Sequence, residues 1–145
     1  MRYPAANSVA GYLITETDTV VIDLGTATTF DVVSKNKEYL GGSIAPGIKI
    51  SLDALTLKTA SLKSVELDTP NKVIGKNTYE AIQSGLIMGH ASMIDSMVEK
   101  IILEIDIEPK IILTGGLSKV VQPILNVNVE SVSYTHLTLP TTPYV

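Results

Sequence analysis

Two hydrophobic periods divide this chain. Thr19 to Ile22 is a short unbroken apolar run and predicts a buried strand, and Phe30 to Val33 predicts a second. Tyr39 to Ile44 predicts a third, with Ser34-Lys35-Asn36-Lys37 as the turn before it, so three closely joined strands suggest a meander. Helical spacing then takes over. Ile48, Leu52, Leu55 and Ala60 align partly over a predicted helix from Ile48 to Ala60, and Val65 to Pro70 reads as an extended linker. The longest helical pattern runs from Thr78 to roughly Glu104, with Asn77 or Thr78 placed to cap it and Glu80 in its first turn. Lys110 to Leu113 predicts a short buried strand, and Ser118 to roughly Leu125 a weaker helix. Upstream, Ala6, Val9, Ala10 and Leu13 fit the end of a helix over 5–13. Mixed strands followed by helices define an α/β class.

The long helix carries a second pattern. Ala81, Gly85, Met88, Ser92, Asp95 and Glu99 recur at steps of three and four, and Gly89 and Ser96 widen this small-residue face. Such a face suits an internal helix seam or a dimer seam. His90, among apolar neighbours, reads as a structural residue.

Composition narrows the chemistry. At 145 residues with 45% hydrophobic content, the chain has material for one sizeable core. A net charge of -4 leaves no broad basic surface, which argues against nucleic acid as a partner. With no cysteine, disulfides, thiol catalysis and thiolate zinc sites are excluded. No uncharged apolar run reaches the roughly 20 residues of a membrane span, and a cytoplasmic protein without membrane contact is the expectation.

The most specific stretch is Asp23-Leu24-Gly25-Thr26-Ala27-Thr28-Thr29-Phe30-Asp31. Asp23 ends a buried strand, where a carboxylate can face a cleft. Gly25 permits a tight turn and a close approach of backbone to phosphate. Thr26, Thr28 and Thr29 add hydroxyls and N–H donors without negative charge. A carboxylate beside a phosphate chain makes sense chiefly with a cation nearby. The same residues would also serve a plain hairpin that satisfies its own turn. Strand alternation leaves Asp31 facing either the cleft or solvent. Gly41-Gly42-Ser43-Ile44-Ala45-Pro46-Gly47 sits at a strand end; Gly42, Pro46 and Gly47 would form a wall for a small substrate, or a bend needed for packing. Thr78 can contact a ligand or only cap its helix. Gly115 and Gly116, after Thr114, can admit a planar base or ribose, or simply make the turn.

Together these motifs resemble the C-terminal portion of type III pantothenate kinase. The resemblance covers about residues 5 to 125: Ala6-Asn7-Ser8-Val9-Ala10-Gly11-Tyr12, Asp23 to Asp31, Gly41 to Gly47, Gly75 to Gly85 with Asn77-Thr78 and Gln83-Ser84, and Thr114-Gly115-Gly116. It implies an incomplete ribonuclease H-like domain of the actin/sugar-kinase/heat-shock ATPase superfamily, with one subdomain missing. It further implies ATP-dependent phosphorylation of pantothenate, the first step of coenzyme A synthesis, by a homodimer. Asp23 would hold a monovalent cation, K⁺ or NH₄⁺. Thr26 would contact ATP phosphate, Thr78 would contact pantothenate, and Mg²⁺ would accompany ATP. A non-catalytic nucleotide-binding or partner module, or a phosphotransferase with another small substrate, are the alternatives.

Departures from the family pattern bear on activity. The family's N-terminal Asp-x-Gly-Asn-Thr loop has no match here. An ungapped match puts Tyr3 at the general base and Pro4 at the neighbouring arginine. A phenol titrating near 10 is protonated at neutral pH, so Tyr3 is not assigned the role and no catalytic residue is expected. Residues 1–18 read as a remnant of the helix between subdomains and 19–130 as the C-terminal subdomain. Residues 131–145 lack Asp, Glu, Lys and Arg, and Ser133-Tyr134-Thr135-His136-Leu137 resembles a translated sequencing adaptor, so this end is expected to be a non-native tail.

Overall fold

The computed structural model describes residues 16–57 and 65–132. The predicted helix over 5–13, Tyr3, Pro4 and His136 lie outside them. Strands β1 (Thr19–Leu24), β2 (Ala27–Val33) and β3 (Tyr39–Pro46) are followed by helices α1 (Ile48–Thr56) and α2 (Thr78–Ile105). Strand β4 (Lys110–Thr114), helix α3 (Ser118–Val121), a 3-10 turn (Gln122–Ile124) and β5 (Glu130–Ser131) complete the described residues. The sheet order is β3-β2-β1-β4-β5. The first three strands form the expected antiparallel meander, whereas β4 pairs parallel to β1 and β5 parallel to β4.

Strand β1 is central and buried along nearly its whole length, as its unbroken apolar run requires. Val20, Ile22 and Leu24 share one sheet face with Phe30, Val32, Ile111 and Leu113. Ile87, Ala91, Ile94 and Val98 of α2 join them in the core. Those four helix positions recur at steps of three and four, the spacing that keeps one stripe against a sheet. Asn77 caps α2 by accepting the Glu80 N–H at 2.8 Å, and the Glu80 carboxylate accepts the Lys76 N–H at 2.8 Å. Asp106 ends the helix in the left-handed conformation, φ 54°.

Two element boundaries depart from expectation. The predicted helix from Ser118 shortens to one α turn followed by a 3-10 turn, because Pro123 has no N–H to continue the ladder. Strand β5, only two residues long, has no periodic signature of its own. It pairs Glu130 with Ile112 and Ser131 with Leu113, and the Val132 N–H donates to the Leu113 carbonyl at 3.0 Å. Among the described residues, no helix is long and apolar enough to cross a membrane.

Candidate active site

The β1–β2 hairpin is centred on Thr26, so Asp23 pairs with Thr29 and Val21 with Asp31. Paired residues share a face, and every second residue returns to it. Asp23, Thr29 and Asp31 therefore all lie on the face opposite α2. The parallel register adds Thr114, directly across from Asp23, and the β3 register adds Ile44 beside Thr29 and Gly42 beside Asp31. One row across the sheet reads Thr114, Asp23, Thr29, Ile44, and Ile44 is exposed at its end.

Glycines bring three loops together at the carboxyl end of β1. The Gly47 N–H donates to the Thr26 carbonyl at 3.1 Å, and a Cβ on Gly47 would overlap that same carbonyl oxygen. Helix α1 thus begins against the Gly25-Thr26 turn, with Gly47 as N-cap and no side-chain cap on its first amides. Gly115 adopts φ +102°, and a Cβ there would lie 2.6 Å from the backbone of Leu24. Asp23, Gly25, Thr26, Pro46, Gly47, Gly115 and Gly116 are consequently neighbours at one end of the sheet, although 93 positions separate the first from the last.

The remaining candidates fall elsewhere. Thr28 is fully buried on the α2 face, where its hydroxyl meets His90 Nε2 at 2.7 Å. Burial holds the His90 imidazole below its ordinary value, so it is neutral there. Thr78 opens α2 and lines a groove of about 510 Å³ with Leu55, Gly75, Asn77 and Gly85. Of the small-residue stripe, Ala81, Gly85, Gly89, Ser92 and Ser96 are exposed, so it is not an internal seam among the described residues.

Asp31 is buried, with its Oδ1 accepting the Tyr39 hydroxyl at 2.9 Å. Burial pushes its carboxyl from 3.8 up to about 6. The Tyr39 hydrogen bond opposes that shift, the charge of Asp23 adds to it, and Thr29 opposes it slightly. Partial burial and the bond to Asp31 push Tyr39 up to about 12. Because Asp31 binds its proton more tightly folded than unfolded, stability falls as pH rises from about 4 through about 6. His90 acts in the opposite sense, losing stability as pH falls below 6.5. Thermal unfolding across this range is expected to show that Asp31→Asn abolishes the loss on the alkaline side and retains the loss on the acid side. An unchanged profile in the variant would refute the assignment.

The sequence marks Thr114 only as the start of the Thr114-Gly115-Gly116 turn, with no role beside Asp23, and it does not show the bond from Thr28 to His90. Thr114 becomes a neighbour of Asp23 only through the β1–β4 register. The shared face of Asp23 and Asp31 had a usable signal: both are odd-numbered in a hairpin whose centre falls on a residue.

A meander extended by two parallel strands, with a Gly-Thr hairpin and glycine contacts at the end of its central strand, is an α/β domain with a ribonuclease H-like fold. Solved structures of the Alp12 filament (TM-score 0.59, 14% identity, 91% of this chain and 48% of that one) and of the ethanolamine utilization protein EutJ from Carboxydothermus hydrogenoformans (0.53, 15%, 88% and 47%) share the fold. The chain belongs to the type III pantothenate kinase family, whose model matches residues 5–100. The type III pantothenate kinase of Anaeromyxobacter sp. (strain K) is 47% identical over 115 residues, 79% of this chain and 45% of that protein. That of Persephonella marina is 47% identical over 109 residues, 75% and 43%. The chain thus spans somewhat under half the length of these relatives.

Proposed function

We propose that this chain supplies one wall of the active-site cleft of an ATP-dependent pantothenate kinase, the reaction that opens coenzyme A synthesis. The observation that carries the reading is the Gly25-Thr26 turn, held by Gly47 on one side and meeting Gly115 through Leu24 on the other. Gly25 and Thr26 would face the phosphate chain, with the first amides of α1 adding a favourable dipole for an anion. Asp23 would hold a monovalent cation, K⁺ or NH₄⁺. The all-oxygen donor set around it, Asp23, Asp31, Thr29 and Thr114, suits a hard cation. Gly115 and Gly116 would border the base and ribose. Thr28, whose hydroxyl is taken by His90, would act through the shape of the hairpin. Gly42, Pro46 and Gly47 would form the substrate wall, and Thr78 would meet pantothenate in its groove. The exposed small-residue stripe beside that groove fits a homodimer seam. Mg²⁺ bound with ATP supplies charge neutralisation during phosphoryl transfer.

A chimera tests this reading. Grafting the matching 115 residues of this chain into the Anaeromyxobacter relative should preserve pantothenate-dependent ADP formation, and Asp23→Ala should remove it. A chimera equally active on sugars, or indifferent to Asp23→Ala, would sink the proposal. The 145 residues by themselves are expected to give no ADP above their own Asp23→Ala control, since Tyr3 occupies the aligned base position and transfer needs both walls of the cleft positioned together.

A further inference from the structure

The Gly25-Thr26 turn is fixed from three sides. On β1 its flank is Leu24, whose backbone lies against Gly115. At its tip the Thr26 carbonyl accepts the Gly47 N–H at 3.1 Å. On β2 its flank is Thr28, which pairs with Leu24 as the last rung of the hairpin and whose hydroxyl meets His90 Nε2 at 2.7 Å. The first two anchors are backbone contacts made by neighbouring loops. The third comes from a side chain of α2, on the sheet face opposite Asp23.

Thr28 is fully buried and His90 half-buried. A valine of the same shape would suit a buried strand position and need no partner, so a threonine facing a histidine there calls for a cause. A neutral imidazole nitrogen can accept from the hydroxyl or donate to it, and either bond is directional. Ile87, Ala91, Ile94 and Val98 hold α2 on the sheet by apolar packing, which has no preferred direction. The bond from His90 gives that packing a fixed register at the hairpin tip. The same helix borders the groove that contains Thr78. Its lining continues through Ala81 and Gly85 to Leu86, one helical turn before His90. Helix α2 runs unbroken over that distance, so a turn tied to His90 keeps a set separation from the groove. Reacting groups misplaced by about 1 Å can lose about a hundredfold in rate.

We infer that His90 is a positioning residue: through Thr28 it holds the Gly25-Thr26 turn in register with the helix that borders the groove. The inference rests on the assignment of that turn to the phosphate chain given above, and adds a residue that touches neither phosphate nor substrate.

Amide hydrogen exchange in the 145-residue chain reads the anchor without any reaction. His90→Leu and Thr28→Val each delete the bond, from opposite sides. Both should speed exchange at the Gly25 and Gly47 amides about tenfold or more, because those amides donate to the Ala27 and Thr26 carbonyls of the turn. Val21 and Ile22, in the centre of β1, should change by less than about twofold. His90→Gln, whose amide reaches about as far as Nε2, and Thr28→Ser, which keeps the hydroxyl, should recover most of the protection. If His90→Leu does not fold, the isosteric Thr28→Val carries the test. In the chimera, both deletions should lower kcat/KM for ATP about tenfold or more and leave KM for pantothenate within about twofold. The double variant should be no worse than the poorer single one, since both break the same bond.

Uniform acceleration across the sheet overturns the inference, because the pair then only satisfies a buried hydroxyl. Unchanged exchange at Gly25 and Gly47 overturns it too, as does an unchanged kcat/KM for ATP in an active chimera or a double variant whose losses add. A wild-type chimera that forms no ADP with pantothenate fails the functional reading instead, and exchange at Gly25 and Gly47 then decides the role of His90 by itself.

Discussion

Asp95→Ala is expected to destabilise the domain by about 2–4 kcal/mol, a large share of the 5–15 kcal/mol that typically holds a domain together. Asp95 is a buried carboxylate on α2 that accepts the Asn126 N–H through both oxygens at 3.0 Å and the Val127 N–H at 3.1 Å. Helix α2 thereby holds the backbone that leads into β5. Alanine leaves two partly buried backbone donors without an acceptor, and desolvating each without a partner costs about 1–3 kcal/mol. Asp95→Asn keeps one carbonyl oxygen and should lose roughly half as much. Urea unfolding measures both, and a loss under about 1 kcal/mol for alanine would show that water replaces the carboxylate there. Amide exchange at Val132, bonded to Leu113 at the end of β5, should accelerate in the alanine variant before the rest of the sheet does.

Gly115→Ala should be at least as damaging, at about 3 kcal/mol or more, and should also impair nucleotide binding by the chimera. Two effects combine. The φ of +102° is open to glycine and strained for alanine. The added Cβ would meet Leu24 backbone atoms at 2.6 Å, and backbone in the central strand of a five-stranded sheet has nowhere to move. Any relief must shift Leu24, the residue just before Gly25 and Thr26. Gly116→Ala is the control: nothing lies within 4 Å of its Cβ, so it should change stability by no more than about 0.5 kcal/mol. Equal effects at the two positions would contradict the close packing of Gly115 on Leu24.

Much of the local structure was legible from the amino-acid order alone. The apolar runs located β1 to β4 and the 3.6-residue period located α2 to within a residue or two at each end, because both patterns record which side chains face a core. Asn77 with Glu80 marked where α2 starts, since those side chains satisfy amides that the helix cannot. The hairpin motif from Asp23 to Asp31 was readable for the same reason: a tight turn with donors at its tip needs glycine and small hydroxyl residues in sequence.

Tertiary structure decided what these elements do to one another. The parallel pairing of β1 with β4 joins residues about ninety positions apart, and only that register sets Thr114 across from Asp23. The packing of α2 on the sheet turned Thr28 away from the cleft and onto His90, and made Asp95 the anchor of the 126–127 backbone. The hairpin register placed Asp31 diagonally from Asp23 on the face opposite α2. Local periodicity states which face of its own element a residue occupies. Which other element covers that face depends on long-range register and helix docking, and those are set by the free energy of the whole core.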